Sequence, residues 1–97
     1  MAHDKDPGLT VTRDVLVRNK QGIHLRPASK IVKAMARFEC EIYLHKGDRA
    51  ANAKSIMSVT TLIAPKNTVL TIRAVGPDAE EASAALEALF VEKFGEE

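Results

Sequence analysis

With 97 residues, 45% of them hydrophobic, the chain has the size and composition of one folded domain and is not a disordered segment. Its 14 basic and 13 acidic residues leave a net charge of +1, which argues against a dedicated nucleic-acid or membrane-surface binder, and 4% aromatic residues are too few for a base-stacking platform. The single cysteine, Cys40, excludes an internal disulfide and suits a reducing compartment.

Residues 1–9 read as a flexible tail, and residues 10–97 as a single domain. MAHDKDPG has no apolar stretch, so it is not a signal peptide, and no run has the length of a membrane span. The expected setting is cytoplasmic. VTRDVLV (11–17) places Val11, Val15 and Val17 on one face at period 2, with Arg13 as the exception, and predicts a strand. NKQG (19–22) is a turn. From Leu25, Ala28, Ile31, Val32, Met35 and Phe38 recur at helical spacing, with Ser29, Lys30, Lys33 and Arg37 opposite, which predicts an amphipathic helix.

CEIYLH (40–45) alternates, with Cys40, Ile42 and Leu44 on one side. KGD (46–48) signals a tight turn, and RAANA (49–53) is the return strand of a hairpin. SIMSVTTL (55–62) predicts a short helix with Ser55 at its N-cap. TVLTIRAV (68–75) is a strand with Leu70, Ile72 and Ala74 inward. A long helix follows, with Asp78 and Glu81 forming a capping box, Ala82, Leu86, Leu89, Phe90 and Phe94 as its apolar stripe, and Gly95 ending it. The economical packing of this order is an α+β fold: an antiparallel four-stranded sheet with three helices on one face, a two-layer βαββαβα sandwich.

The chemistry concentrates in HLRP (24–27). Proline is tolerated in a helix only near its start, where N–H groups have no intrahelical partner, so Pro27 places His24 at or beside the N-cap. The amides of Leu25 and Arg26, the positive end of the helix and the Arg26 guanidinium then form a phosphate-binding corner beside an imidazole. A neutral imidazole is the form that attacks phosphorus. The bland alternative is a histidine that merely caps the helix next to a solvated arginine, because His-x-Arg-Pro is short enough to occur by chance.

GIHLRPASKIV (22–32), together with AANAKSIMSV (50–59), closely resembles the histidine-containing phosphocarrier (HPr) family of the phosphoenolpyruvate-dependent sugar phosphotransferase system. The resemblance runs from about Val11 to Phe94. It implies an open-faced βαββαβα sandwich and a phosphoryl carrier, without a cofactor or metal, that is not a stand-alone enzyme. It implies that His24 is the phosphorylated residue, through Nδ1, and that Arg26 steadies the phosphoryl group. Pro27 matches the first-turn proline of the family, and Gly22 the glycine before the active loop. Ser55 matches the serine modified by HPr kinase/phosphorylase, Ile56 and Met57 resemble the apolar patch that docks partners, and Lys33 falls on the helix face that meets them. Enzyme I is the implied donor and enzyme IIA components the implied acceptors, and a monomer is expected.

Leu25 stands where the family usually has a small residue, and Ser58, Ile63 and Asn67 where many members have glycine. Ile63 does not readily adopt left-handed geometry, so the loop after the second helix is expected to be built differently. A regulatory adaptor of the same fold, acting mainly through phospho-Ser55, is the competing reading, and His24, Arg26 and Pro27 favour the carrier. His3 and His45 read as ordinary surface residues, and a metal site from His24, Cys40 and His45 lacks ligand-pair spacing.

Overall fold

The computed structural model describes residues 9–97, so most of the expected 1–9 tail, with His3, lies outside the described residues. The elements are β1 (Thr10–Leu16), α1 (Leu25–Met35), β2 (Glu41–Lys46), β3 (Arg49–Asn52), α2 (Ile56–Thr60), β4 (Val69–Val75) and α3 (Ala79–Val91). The four strands form one antiparallel sheet in the order β1-β4-β2-β3. This is the α+β sandwich expected from the alternation.

The period-2 faces explain the layering. Val15, Ile42, Leu44, Leu70, Ile72 and Ala74 are buried on one side of the sheet, where Ile31, Met35, Leu86 and Phe90 from the helices cover them. Each fully buried Leu, Ile or Phe side chain contributes about 1.5–3 kcal/mol relative to exposure. Arg13 shares the inner side of β1 and is compensated there. Its guanidinium donates to Glu87 at 2.7 Å, Glu80 at 2.5 Å and Ser83 Oγ at 3.0 Å, all on α3.

Two expectations for α3 are corrected. Asp78 stands at the N-cap but makes no side-chain cap hydrogen bond, so the box with Glu81 does not form. Its carboxylate instead accepts from the backbone N–H groups of Glu39 at 2.8 Å and Cys40 at 2.9 Å, tying the start of α3 to the entry of β2. Burial pushes the Asp78 carboxyl up, but these N–H donors outweigh it and hold it below the usual carboxylate range. Burial, reinforced by Asp78, pushes the Cys40 thiol up to about 11, so Cys40 is an inert core residue. The helix itself ends at Val91 with Glu92 as C-cap, short of Gly95.

The third correction concerns the loop after α2, which stops at Thr60. Ile63 (φ 55°) and Asn67 (φ 78°) both adopt the left-handed conformation that glycine favours, so the glycine-type path is kept in spite of the substitutions. The loop is pinned by Lys46 Nζ on the Ile63 carbonyl at 2.6 Å and by Arg49 on the Thr61 carbonyl at 3.2 Å. A left-handed β-branched residue carries about 1–2 kcal/mol of strain, partly offset by its smaller unfolded-state entropy. The Ile63 side chain is 66% exposed and has little packing to lose. Ile63→Gly is therefore expected to stabilise the domain by about 1 kcal/mol, raising Tm by roughly 4–8 °C. Asn67→Gly should gain less, because asparagine tolerates this conformation. A thermal melt in which Ile63→Gly is no more stable than the parent would show that the strain is absent.

Candidate functional site

α1 begins where its sequence requires. His24 is the N-cap, with extended backbone (φ −104°, ψ −165°), and its carbonyl accepts the first helical bond, from Ala28 N–H, at 3.0 Å. The amides of Leu25 and Arg26 consequently have no intrahelical acceptor, and Pro27, which has no N–H to satisfy, is buried in the first turn. His24 occupies the N-cap position, but its imidazole makes no capping hydrogen bond.

Upstream, Gly22 (φ 72°) lets the chain pass against the Ala64–Pro65 backbone. A Cβ there would stand 2.4 Å from the Ala64 carbonyl oxygen, which in turn accepts from Ile23 N–H at 2.9 Å. The His24 loop is thus fastened to the loop that contains Ile63.

The C-terminal segment supplies the part of the site that the sequence did not disclose. Lys93, Phe94 and Gly95 are left-handed in succession (φ 58°, 55° and 75°), which reverses the chain after α3. Phe94 is buried and meets the Phe90 ring edge-on at 4.9 Å between centroids, and its carbonyl accepts from Lys30 Nζ at 2.5 Å. The reversal delivers Glu96 to the helix start. Both Glu96 carboxylate oxygens lie 3.1 Å from His24 Nε2, and the Arg26 guanidinium is 3.9 Å away. Wholly buried Asn19 donates through Nδ2 to the same carboxylate at 3.0 Å and to the Gly22 carbonyl at 2.7 Å. Partial burial pushes the Glu96 carboxyl up, but hydrogen bonds from His24 and Asn19, with the charges of His24 and Arg26, outweigh it and hold the group below its usual range.

The result is a half-exposed imidazole with Nε2 occupied and with no hydrogen bond to Nδ1 among the described residues. Its neighbours Arg26 and Glu96 also line, with Lys20 and Lys30, a cleft of about 350 Å³ whose lining does not include His24 itself. The Arg26 side chain is 73% exposed and free to meet an incoming anion. A nucleophilic nitrogen beside free amides and a guanidinium suits transfer of a phosphoryl group.

The remaining sequence candidates lie around this corner. Leu25 and Met57 are prominently exposed, Ile56 less so, and α1 and α2 are in contact. Lys33 is exposed near the end of α1. Ser55 is the N-cap of α2, its hydroxyl accepting from Ser58 N–H at 3.2 Å, while Ser58 Oγ accepts from Asn52 N–H at 2.8 Å. His45 is less exposed than expected on the outer face, and its Nε2 is buried without a hydrogen-bond partner among the described residues. Among the described residues no cluster of three or more His, Cys, Asp or Glu side chains is arranged for a metal ion, and no helix is long and apolar enough to cross a membrane. Asn19 and Glu96 were not signalled by any local pattern. NKQG reads as a turn and FGEE as a helix end, and nothing in either points to the other.

Comparison with known proteins converges on one group. Residues 11–92 match the family model described as the PTS HPr component phosphorylation site. The chain is 42% identical over 87 residues to the phosphocarrier protein HPr of Treponema pallidum, covering 90% of this chain and 99% of that protein. It is 42% identical over 82 residues to the phosphoryl donor subunit DhaM of the PEP-dependent dihydroxyacetone kinase of Klebsiella michiganensis. That match covers 84% of this chain but only 17% of the DhaM subunit. Among solved structures, HPr-C-His from Thermoanaerobacter tengcongensis superposes with a TM-score of 0.85 at 38% identity, covering 90% of this chain and 98% of that one.

Proposed function

Since the chain belongs to the HPr family of phosphotransferase-system phosphocarriers, we propose that it carries its phosphoryl group on Nδ1 of His24, taking it from phosphorylated enzyme I and passing it to an enzyme IIA component. The observation that carries this reading is the imidazole at the α1 N-cap, with Nε2 held by Glu96 and Nδ1 without a hydrogen bond among the described residues. In this reading Nδ1 attacks phosphorus, while the amides of Leu25 and Arg26 and the Arg26 guanidinium hold the phosphoryl oxygens. The exposed Leu25, Ile56 and Met57 side chains, with Lys33 at the rim, form the docking surface for both partners. The chain also matches the DhaM donor subunit over most of its own length, so the acceptor protein is settled by assay. Incubation with enzyme I, phosphoenolpyruvate and Mg²⁺ should add one acid-labile, base-stable phosphoryl group by intact mass. An acid-stable adduct, or none, would overturn the reading.

Ser55 is proposed as a regulatory site for HPr kinase/phosphorylase. A phosphate there adds roughly −1.5 to −2 charge units at the start of α2, where free amides favour an anion, so the fold should tolerate it. The same charge sits beside Ile56 and Met57, where docking would bury it without a partner. Ser55→Asp is expected to melt like the parent but to be phosphorylated at His24 about tenfold more slowly by enzyme I. Equal rates would remove the inhibitory role, and a slow variant that has unfolded would remove the surface-charge mechanism.

A further inference from the structure

The contact between His24 and Glu96 spans 72 residues of sequence, and the structure secures it on every side. Phe94 is packed in the core, Lys30 holds the Phe94 carbonyl, Lys20 N–H donates to the Glu97 carbonyl at 2.6 Å, and buried Asn19 grips the Glu96 carboxylate. A terminal segment reversed through three left-handed residues, two of them not glycine, is held in a costly conformation. What that conformation achieves is the placement of one carboxylate on one ring nitrogen.

We propose that Glu96 is a positioning residue for phosphoryl transfer: it keeps the proton of His24 on Nε2, aims the Nδ1 lone pair at the donor, and balances the positive charge that the ring acquires on phosphorylation. An ionised carboxylate only accepts hydrogen bonds, so in the neutral imidazole, the form that attacks phosphorus, the nitrogen facing both its oxygens carries the proton and the other nitrogen carries the lone pair. The inference rests on the phosphocarrier reading. In transfer from a phosphoramidate donor, the Nδ1 lone pair forms the new N–P bond. The donor N–P bond breaks, with its electron pair returning to the donor nitrogen. The proton on Nε2 does not move, so the ring becomes a cation, and the Glu96 carboxylate lies 3.1 Å from it. Onward transfer reverses the sequence: the pair of the Nδ1–P bond returns to Nδ1 and the ring is neutral again. The arrangement follows the logic of a carboxylate behind a catalytic histidine, which fixes the tautomer and stabilises the imidazolium. Arg26, the other charge facing this carboxylate, is 3.9 Å away and exposed, so it is free to turn to the phosphoryl oxygens while Asn19 keeps Glu96 in place.

The test uses the full chain with Glu96→Gln and Glu96→Ala and two phosphoryl donors, phosphorylated enzyme I and the small molecule phosphoramidate. Glutamine keeps an acceptor oxygen for Nε2–H and removes the charge, whereas alanine removes both. Both variants should melt as the parent does. Acceptance by His24 should fall about tenfold in Glu96→Gln and further in Glu96→Ala, with either donor and with KM for enzyme I unchanged. Nitrogen-15 spectra of the imidazole should show a solvent-protected Nε2–H in the parent and in Glu96→Gln, and lose that protection in Glu96→Ala. Parental rates in both variants, a slowdown confined to the protein donor, or an Nδ1–H tautomer in the parent would each overturn the role of Glu96. A parent that accepts no phosphoryl group from either donor would overturn the carrier reading and this inference together.

Discussion

His24→Ala is expected to fold like the parent and to accept no phosphoryl group from enzyme I, a complete loss of carrier activity. The imidazole is partly exposed (34%) and makes no capping bond, so its removal deletes only partial packing and no helix cap. What is lost structurally is the partly exposed pair with Glu96, and the change in stability should stay within about 1 kcal/mol. The backbone carbonyl of residue 24 still accepts from Ala28, so α1 keeps its first turn. No second acceptor compensates within the described residues: the only other histidine there, His45, has its Nε2 buried. Intact mass after incubation with enzyme I and phosphoenolpyruvate, read beside a thermal melt, checks both halves. Phosphorylation of His24→Ala at the parental level would place the chemistry elsewhere.

Gly22→Ala should give the largest loss of stability among the single substitutions considered, and it should spoil the site as well. The new methyl group would lie 2.4 Å from the Ala64 carbonyl oxygen and 2.8 Å from Pro65 Cα, both backbone atoms that a rotamer change cannot move aside. The φ of 72° adds its own penalty for any residue with a Cβ. Left-handed strain and overpacking together should cost about 3–5 kcal/mol and lower Tm by more than 10 °C. The backbone can relax only by parting the His24 loop from the Ala64 loop. That breaks the Ile23–Ala64 hydrogen bond and shifts Gly22 O away from Asn19, which holds Glu96. Transfer should therefore slow even at temperatures where the variant is folded. Gly47→Ala is the control: Gly47 has φ 61°, but nothing lies within 4 Å of an added Cβ, so only the conformational penalty of about 1 kcal/mol applies. Equal melts for the two variants would show that the close approach at Gly22 carries no weight.

The sequence by itself determined whatever depends on neighbours along the chain. Period-2 alternation around Ile42, Leu44, Leu70 and Ile72 marked which side of the sheet would be buried, and the 3.6-residue recurrence from Ala28 to Met35 marked the buried face of α1. Pro27 set the start of α1, and with it the place of His24 and the free amides of Leu25 and Arg26, because a missing N–H is harmless only in a first turn. Tertiary structure decided the rest, wherever a residue had two local uses. Asp78 had the spacing of a capping box, yet the unpaired amides of Glu39 and Cys40, which the sheet brings alongside, took its carboxylate. Ile63 had a local preference against left-handed backbone, overridden by the cations of Lys46 and Arg49 holding the loop carbonyls and by the Thr68–Val17 pairing that continues the sheet. Glu96 had no local signal at all. Its partners Asn19 and His24 stand more than 70 residues away along the chain, and only the core packing of Phe94 and the left-handed reversal after α3 bring it to the imidazole. A contact between distant segments leaves no periodicity in either of them, because it is the fold as a whole that sets the distance between the two ends.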